Sequence, residues 1–203
     1  MRHDRAQATP HPGRIEDAGR LLVVIGGLPG SGKTTLLRQV LREQEPGVVG
    51  VDSEQVAARL REAGLGVPYP LLRPVVHLWH RWRVLRAVGG GAPVVILTDP
   101  WTSAPWRRVV LSAARRAGRE VRPVLVDASP EDARAGQTAR GRAISEAALR
   151  RHATRWDQLL RSAHEDEHLQ HAVVVDRSGA DRLTLADLVG QGEPVSGGTA
   201  RCC

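Results

Sequence analysis

Residues 27–34 constrain the fold of this chain more than any other stretch. They read Gly-Leu-Pro-Gly-Ser-Gly-Lys-Thr and fit the pattern G-x-x-x-x-G-K-[ST]. The apolar run from Leu21 to Ile25 precedes them and predicts a buried strand, and Thr35 to Glu43 follow with leucine and valine on one helical face. A strand, this loop and a helix in that order favour a phosphate-binding loop over a glycine-rich turn that binds no ligand.

The residue types of this motif suit phosphate. Glycine at positions 27, 30 and 32 lets the backbone bend so that successive N–H groups point at one anion, and the positive end of the following helix adds to the attraction. Lys33 is expected to reach the β- and γ-phosphates of a nucleotide, and the Thr34 hydroxyl to bind Mg²⁺. We expect the nucleotide to be bound by Gly27, Leu28, Pro29, Gly30, Ser31, Gly32, Lys33, Thr34 and Thr35. Lys33 is the only lysine among 29 lysine and arginine residues, at a position that favours a compact ammonium group.

The length and composition favour one globular α/β domain. A chain of 203 residues with 41% hydrophobic content is long enough for a single full core and short for two domains. With no phenylalanine and one tyrosine, we expect aliphatic side chains and the five tryptophans to fill that core. The formal net charge of +7 favours nucleic acid or phosphorylated ligands, whereas a general bias towards arginine explains it equally well, and both interpretations remain open.

Nothing in the sequence indicates secretion or a membrane. Both cysteines, Cys202 and Cys203, lie at the extreme C-terminus, where they cannot build a disulfide framework for the core. Residues 1–19 lack the apolar segment of a secretory signal, and no apolar run approaches the length of a membrane span. We therefore expect a cytoplasmic protein with a flexible leader in residues 1–19, one domain in residues 20–190 and a flexible tail in residues 191–203.

Five apolar runs alternate with helical patterns along the chain. The predicted strands are Leu21–Ile25, Val48–Val51, Val94–Asp99, Val121–Asp127 and Val173–Asp176. Such an alternation predicts a five-stranded parallel sheet with helices on both faces. Ligands of these sheets bind beyond the C-terminal ends of the strands, where Asp52, Asp99 and Asp127 are found.

A long helix is predicted from Leu71 to Val88. Its apolar residues recur at helical spacing and form one face, composed of Val75, Leu78, Trp79, Trp82 and Leu85. We expect this face to pack in the core, and a platform for stacking nucleic-acid bases is the alternative. His77, on another side of the helix, is a candidate for the cleft in which a second substrate would bind.

The phosphate loop, the strand-end acids and the segment Arg140-Gly141-Arg142 together resemble a known group. The chain is similar to the small P-loop kinases, among them zeta toxins, chloramphenicol phosphotransferase, gluconate kinase and the kinase domain of polynucleotide kinases, and to bacterial proteins described only as AAA family ATPases. The resemblance spans about residues 21–189. It implies a P-loop NTPase fold, ATP and Mg²⁺ as cofactors, and transfer of a phosphoryl group to a hydroxyl.

The resemblance also implies roles for individual residues. Asp52 ends the second strand, where these kinases place the acid that orients or deprotonates the acceptor hydroxyl, so it would be catalytic together with Lys33. Asp99 occupies the position of the Walker B acid and would hold Mg²⁺ with Thr34. Many relatives carry an arginine three residues after the strand-two acid, but this chain has Gln55 there, so anion binding by that segment is not implied.

Residues 134–144 resemble the small arginine-bearing lid that covers the triphosphate in these kinases. Arg140 and Arg142 would be catalytic lid residues, and Arg134 would contact the nucleotide. The alternative is a solvated helix face, which is disfavoured because Ser145 is a helix-capping residue that leaves Arg140 and Arg142 in the preceding loop. Arg177 follows the last strand, where the resemblance implies a loop that packs against adenine.

These observations predict an ATP-dependent phosphotransferase that acts on a hydroxyl of a small molecule. One alternative is a kinase for the 5′-hydroxyl of RNA or DNA, which the positive charge favours. A second is a nucleotide-dependent switch that binds a partner protein.

Overall fold

A computed structural model of the chain describes residues 19–43, 45–52, 69–139, 145–163, 169 and 171–190, with only the backbone described for residues 43 and 69–75. Most of the predicted leader, all of the predicted tail and the helix predicted to follow Asp52 lie outside these residues. Arg140 and Arg142 of the predicted lid also lie outside them.

Strands and helices alternate from one end of the described chain to the other. The strands are β1 (Arg20–Gly27), β2 (Val48–Val51), β3 (Val94–Asp99), β4 (Arg119–Asp127) and β5 (Val173–Asp176). The helices are α1 (Lys33–Val40), α2 (Tyr69–Gly89), α3 (Ala104–Arg116), α4 (Pro130–Thr138), α5 (Glu146–Ser162), α6 (Arg177–Ala180) and α7 (Leu185–Val189), and a short 3₁₀ turn, Leu41–Glu43, follows α1.

The five strands form one parallel sheet in the order β2-β3-β1-β4-β5. In the register of this sheet, Gly26 of β1 lies beside Asp99 of β3, and Gly27 lies beside Val126 of β4. The C-terminal ends of the strands therefore meet at one edge, and the phosphate loop leaves the sheet at its centre. The predicted sheet with its five strands is confirmed.

Helices cover both faces of the sheet, as the apolar strands predicted. Alternate residues of β1 enter two separate cores, with Leu22 and Val24 on one side and Leu21, Val23 and Ile25 on the other. The first core is filled from α2, α3, α4 and α5, and the second from α1 and α7. None of the helices in the described part of the chain combines the length and the apolar character needed to cross a bilayer.

The sequence Ser129-Pro130-Glu131-Asp132 predicts a helix start, since a capping serine is followed by proline and two acids, and Ser145 predicts a second one. Both predicted helix starts are confirmed by their caps. The Ser129 hydroxyl accepts a hydrogen bond of 3.0 Å from the Asp132 N–H at the start of α4. The Ser145 hydroxyl accepts one of 3.3 Å from the Ala148 N–H at the start of α5. Both caps satisfy N–H groups that the first helical turn leaves unpaired.

The predicted core face of α2 is wrong for Leu78, Trp79 and Trp82, whereas Leu85 packs against the core as predicted and the Val75 side chain lies outside the described residues. Leu78, Trp79 and Trp82 are 73%, 37% and 55% exposed, so two of the five tryptophans do not fill the core. The helix instead buries the row Val76, His80, Val84 and Val88, whose members are four residues apart. β2 is the edge strand and only four residues long, so the sheet offers α2 a narrow surface there. A row of slim side chains fits that surface better than a row of indoles.

Candidate nucleotide and acceptor site

The loop between β1 and α1 has the shape of an anion cradle. Gly32, the N-cap of α1, has a φ of 106° and no side-chain cap, so the first N–H groups of the helix remain directed into the loop. A Cβ atom at Gly27 would lie 2.6 Å from Ser31 Oγ and 2.7 Å from the Val126 carbonyl oxygen, so only glycine fits there. Ser31 Oγ is buried and has no hydrogen-bond partner among the described residues. A phosphate oxygen in the cradle would supply a partner for this hydroxyl.

The Lys33 ammonium group folds back over the same loop. Its Nζ donates hydrogen bonds of 2.9 Å to the Gly27 carbonyl and 2.7 Å to the Leu28 carbonyl. These contacts hold the charge at the rim of the cradle. A phosphate bound by the loop would compete with these carbonyls for the ammonium group, because a hydrogen bond between two charged groups is stronger than one to a carbonyl.

Asp99 lies next to the cradle, because β3 is the neighbour of β1 on that side. Its Oδ1 accepts a hydrogen bond of 2.6 Å from the Trp101 N–H, and its Oδ2 accepts one of 3.0 Å from Trp106 Nε1. Burial raises the pKa of the Asp99 carboxyl, and these two hydrogen bonds and the charge of Lys33 oppose the rise. Trp101 reaches its position with a φ of 60°, a conformation unusual for a bulky residue.

Thr34 and Asp99 are the described side chains that suit a Mg²⁺ ion at this cradle. The Thr34 side chain is buried at the start of α1, and Asp99 offers carboxylate oxygens from the adjacent strand. The described residues contain no group of three or more histidine, cysteine or acidic side chains that could hold a metal without help. Mg²⁺ in nucleotide sites is typically held by one or two protein oxygens together with phosphates and water, so the donor set fits a metal that arrives with a nucleotide.

Asp52 stands at the same edge of the sheet, one strand further from the loop. Its carboxylate is 3% exposed, and its Oδ1 accepts a hydrogen bond of 3.0 Å from Thr98 Oγ1. Thr98 immediately precedes Asp99 on β3, so the residue that holds the Asp52 carboxylate is the chain neighbour of the second acid. The predicted strand-end acids at β2 and β3 thus occupy one edge of the sheet with the phosphate loop.

The sequence did not single out His80, which lies close to Asp52. The imidazole is 5% exposed, and its Nδ1 has no hydrogen-bond partner in the described part of the chain. Burial lowers its pKa to about 4, although the negative charge of Asp52 acts in the opposite direction. His77, the histidine that the sequence suggested, is exposed. The i, i+4 row from Val76 to Val88 was the signal that could have identified His80.

The helix α4 rests directly on the tip of the phosphate loop. A Cβ atom at Gly30 would collide with the carbonyl of Ala133, and one at Gly136 would collide with the carbonyl of Gly30. The described C-terminal part of α4 therefore lies near the cradle. Arg134 on α4 is exposed and forms an ion pair of 3.2 Å with Glu146 of α5, so a contact with nucleotide stays a prediction for this residue.

The predicted adenine-contacting segment forms the short helix α6. Arg177 is its exposed first residue, and the Asp176 carboxylate caps it by accepting a hydrogen bond of 2.6 Å from the Gly179 N–H. That bond is the main reason why the pKa of Asp176 is lowered. The role of Arg177 towards adenine stays a prediction.

The comparison with protein families decides the family of the chain. The model of the AAA domain matches residues 22–165, a span that runs from β1 past α5 and includes the phosphate loop, Asp52 and Asp99. The chain belongs to the AAA domain family. This membership and the fold confirm the resemblance to the small P-loop kinases and the P-loop NTPase-like architecture.

Two solved structures illustrate the fold of this family member. The tunicamycin resistance protein of Deinococcus radiodurans is 19% identical, with a TM-score of 0.51 over 84% of this chain and 96% of that chain. A chain of the PezAT chromosomal toxin-antitoxin system of Streptococcus pneumoniae is 16% identical, with a TM-score of 0.56 over 87% of this chain and 81% of that chain. At these identities the similarity shows the fold alone. No curated protein is significantly similar to the chain in sequence.

Proposed function

We propose that this AAA-domain protein is a kinase that transfers the γ-phosphoryl group of ATP to a hydroxyl of a small molecule. The observation that carries the proposal is a pair of buried carboxylates beside the glycine-rich loop. They belong to Asp52 and Asp99, at the ends of the neighbouring strands β2 and β3. A protein that only bound a nucleotide would need the loop and one metal-binding acid. The second carboxylate, which Thr98 holds, would serve as the base for a hydroxyl that receives the phosphoryl group.

The loop would hold the triphosphate and stabilise its charge. The N–H groups at the start of α1 and the Ser31 hydroxyl would contact phosphate oxygens, and Lys33 would exchange its two carbonyl partners for the β- and γ-phosphates. Thr34 and Asp99 would hold Mg²⁺, which would supply neutralising positive charge to the phosphates when bound. Coordination also requires Asp99 to be ionised, and a bound cation favours the ionised form against the effect of burial.

Asp52 would receive the proton of the acceptor. The acceptor oxygen forms a bond to the γ-phosphorus as its O–H proton moves to the Asp52 carboxylate, and the bond from that phosphorus to the β–γ bridging oxygen breaks to release ADP. The hydrogen bond from Thr98 to Oδ1 orients this carboxylate towards its role as proton acceptor. His80 beside it is neutral at pH 7, because burial lowers its pKa to about 4.

The arginines of the predicted lid would complete the charge stabilisation. Arg140 and Arg142 follow α4, which packs on the tip of the phosphate loop through Gly30 and Gly136. Charge on the equatorial oxygens of the transferred group is stabilised by cations that approach from outside the cradle, and a short segment after α4 is a suitable source of them.

The proposal is tested with ATP labelled on its γ-phosphate and a library of hydroxyl compounds that includes sugars, nucleosides, aminoglycosides and a 5′-hydroxyl oligonucleotide. We expect label to move to one class of small molecule with the wild-type protein and not with Lys33→Ala. Label on the oligonucleotide alone would replace the small-molecule acceptor by a polynucleotide. Release of labelled phosphate at a rate that no compound changes would favour the switch that binds a partner protein.

A further inference from the structure

A groove outside the nucleotide site runs between α2 and the edge strand β2. It has a volume of about 460 Å³, within the range of about 300–1,000 Å³ typical of small-ligand sites. Its walls include Val49 and Val51 from β2, and the side chains of Trp79, Trp82, Arg83 and Arg86 from α2. We call these six residues the tryptophan groove. Val51 directly precedes Asp52, so one end of the groove lies near the acceptor side of the sheet.

The two indoles of the tryptophan groove are not needed to close the core. Trp101, Trp106 and Trp156 are buried, whereas the side chains of Trp79 and Trp82 are open to solvent. Large aromatic side chains that stay exposed next to one another are characteristic of binding surfaces, because burying them is strongly favourable. They are three residues apart on one helix, so their rings are neighbours along the groove.

The two arginines of the groove belong to a strongly basic part of the sequence. Residues 63–119 contain nine arginines and one acidic residue, and that residue, Asp99, is buried in the nucleotide site. This segment accounts for the positive net charge of the whole chain. Arg86 places its guanidinium group 5.5 Å from the centroid of the Trp82 ring, so cation and aromatic face are presented together. Arg83 lines the same wall.

Aromatic faces and arginines that alternate along a concave surface are the combination that binds single-stranded nucleic acid. Bases stack on the aromatic rings without regard to sequence, and the cations follow the phosphate backbone. An acidic peptide would pair with the arginines, but its carboxylates would not stack on the indoles. A membrane surface would favour a convex patch, and here Trp79 and Trp82 line a concavity. We propose that the tryptophan groove binds single-stranded nucleic acid, with bases on Trp79 and Trp82 and phosphates on Arg83 and Arg86.

The binding is measured by fluorescence anisotropy with a labelled 20-nucleotide single strand, as DNA and as RNA, without ATP, at 50 and 200 mM NaCl. We expect Trp79→Ala and Trp82→Ala each to raise Kd about 5-fold or more, since one base stacked on an aromatic ring contributes about 1–3 kcal/mol. Trp82→Phe is expected to recover part of the loss. Far-ultraviolet circular dichroism and a melting curve check that each variant is folded.

The arginines are tested by the salt dependence of binding. Arg83→Ala/Arg86→Ala should reduce the slope of log Kd against log salt by about 1.4, because each phosphate contact on a single strand contributes about 0.7. The matched control is Arg151→Ala/Arg155→Ala, which removes two exposed arginines from α5 outside the groove. The control should leave the slope and the effect of the tryptophan variants unchanged.

Several results would overturn the proposal. The first two are the absence of binding at 50 mM NaCl and equal Kd values for wild type and both tryptophan variants. The third is an equal reduction of the salt slope in the control and groove arginine variants. The fourth is a duplex or polyglutamate that binds as tightly as the single strand. Binding to phosphatidylserine vesicles that requires Trp79 and Trp82 would assign the groove to membranes instead. Lys33→Ala should bind the oligonucleotide like wild type, so failure of this proposal is distinguished from failure of the kinase proposal.

Discussion

His80→Gln is expected to remove much of the loss of stability that this protein suffers in mild acid. Burial lowers the pKa of His80 from 6.5 to about 4, with smaller contributions in the same direction from Arg83, His77 and Arg81 and an opposing one from Asp52. In the unfolded chain the imidazole takes up a proton near pH 6.5, whereas in the folded protein it stays neutral. Stability is therefore lost as the pH falls from about 6.5 to about 4.

The size of the effect follows from the same pKa values. One pKa unit corresponds to about 1.36 kcal/mol, so a fall from 6.5 to about 4 amounts to about 3 kcal/mol once both states are protonated. At pH 5 the loss is about 2 kcal/mol. The raised pKa of Asp99 acts in the opposite sense. Its contribution to the free energy of unfolding is lost as the pH rises through the pKa that Asp99 has in the folded protein. That contribution is common to wild type and variant and cancels in their difference.

The assay is urea unfolding of wild type and His80→Gln at pH 7, 6, 5 and 4.5. The free energy of unfolding of wild type should fall by about 2 kcal/mol more than that of the variant between pH 7 and pH 5. The m-values of the two proteins should agree at each pH. Parallel pH profiles for the two proteins would refute the reasoning, since they would mean that His80 is protonated as easily in the folded protein as in the unfolded chain.

The other predictions concern phosphoryl transfer. Arg140→Ala and Arg142→Ala should lower kcat more than they raise the KM for ATP, by about 10³-fold or more by analogy with arginine fingers, because lid cations meet the charge mainly in the transition state. Steady-state kinetics with the labelled acceptor measures this, and wild-type kcat in both variants would identify the segment as a solvated face. Asp52→Asn should lower transfer about 10²–10⁴-fold with little change in ATP affinity, because the amide oxygen still accepts the Thr98 hydrogen bond but cannot take a proton. Nearly intact transfer with about 1 kcal/mol less stability would indicate a helix cap, and a rate restored by more Mg²⁺ would indicate a metal ligand.

The sheet and the phosphate loop could be predicted because their signals are local. A continuous apolar run is typical of a strand buried on both faces, as β1 is between its two cores. The positions of Ser129 and Ser145 predicted helix starts for a similar reason, since a cap acts on N–H groups two or three residues away.

The orientation of α2 could not be predicted because it depends on the order of the strands. Tryptophan and leucine outrank histidine on any hydrophobicity scale, so the sequence favoured the face of Trp79 and Trp82 over the row that contains His80. The sheet order places α2 at the edge strand, where β2 offers four residues. Strand order is a property of the whole chain, and no short window of sequence contains it.

The hydrogen bonds that hold the acidic residues could not be predicted from the sequence either. Strand ends indicated Asp52 and Asp99, but the hydrogen bonds from Thr98 to Asp52 and from Trp106 to Asp99 depend on the register of β2 and β3 and on the turn at Trp101. The sequence therefore predicted which side chains are present at this edge. It did not predict which groups hold these carboxylates in place.

Calorimetric titration of Mg²⁺-ATP into wild type and Lys33→Ala tests the central claim, a triphosphate site in the glycine-rich loop, most directly. We predict one site per chain in wild type and a Kd raised about 10- to 100-fold in the variant, because a hydrogen bond to a charged group contributes about 1.5–3 kcal/mol. The variant should keep the circular dichroism spectrum of wild type. No heat of binding in wild type, or equal affinity in the two proteins, would contradict the account.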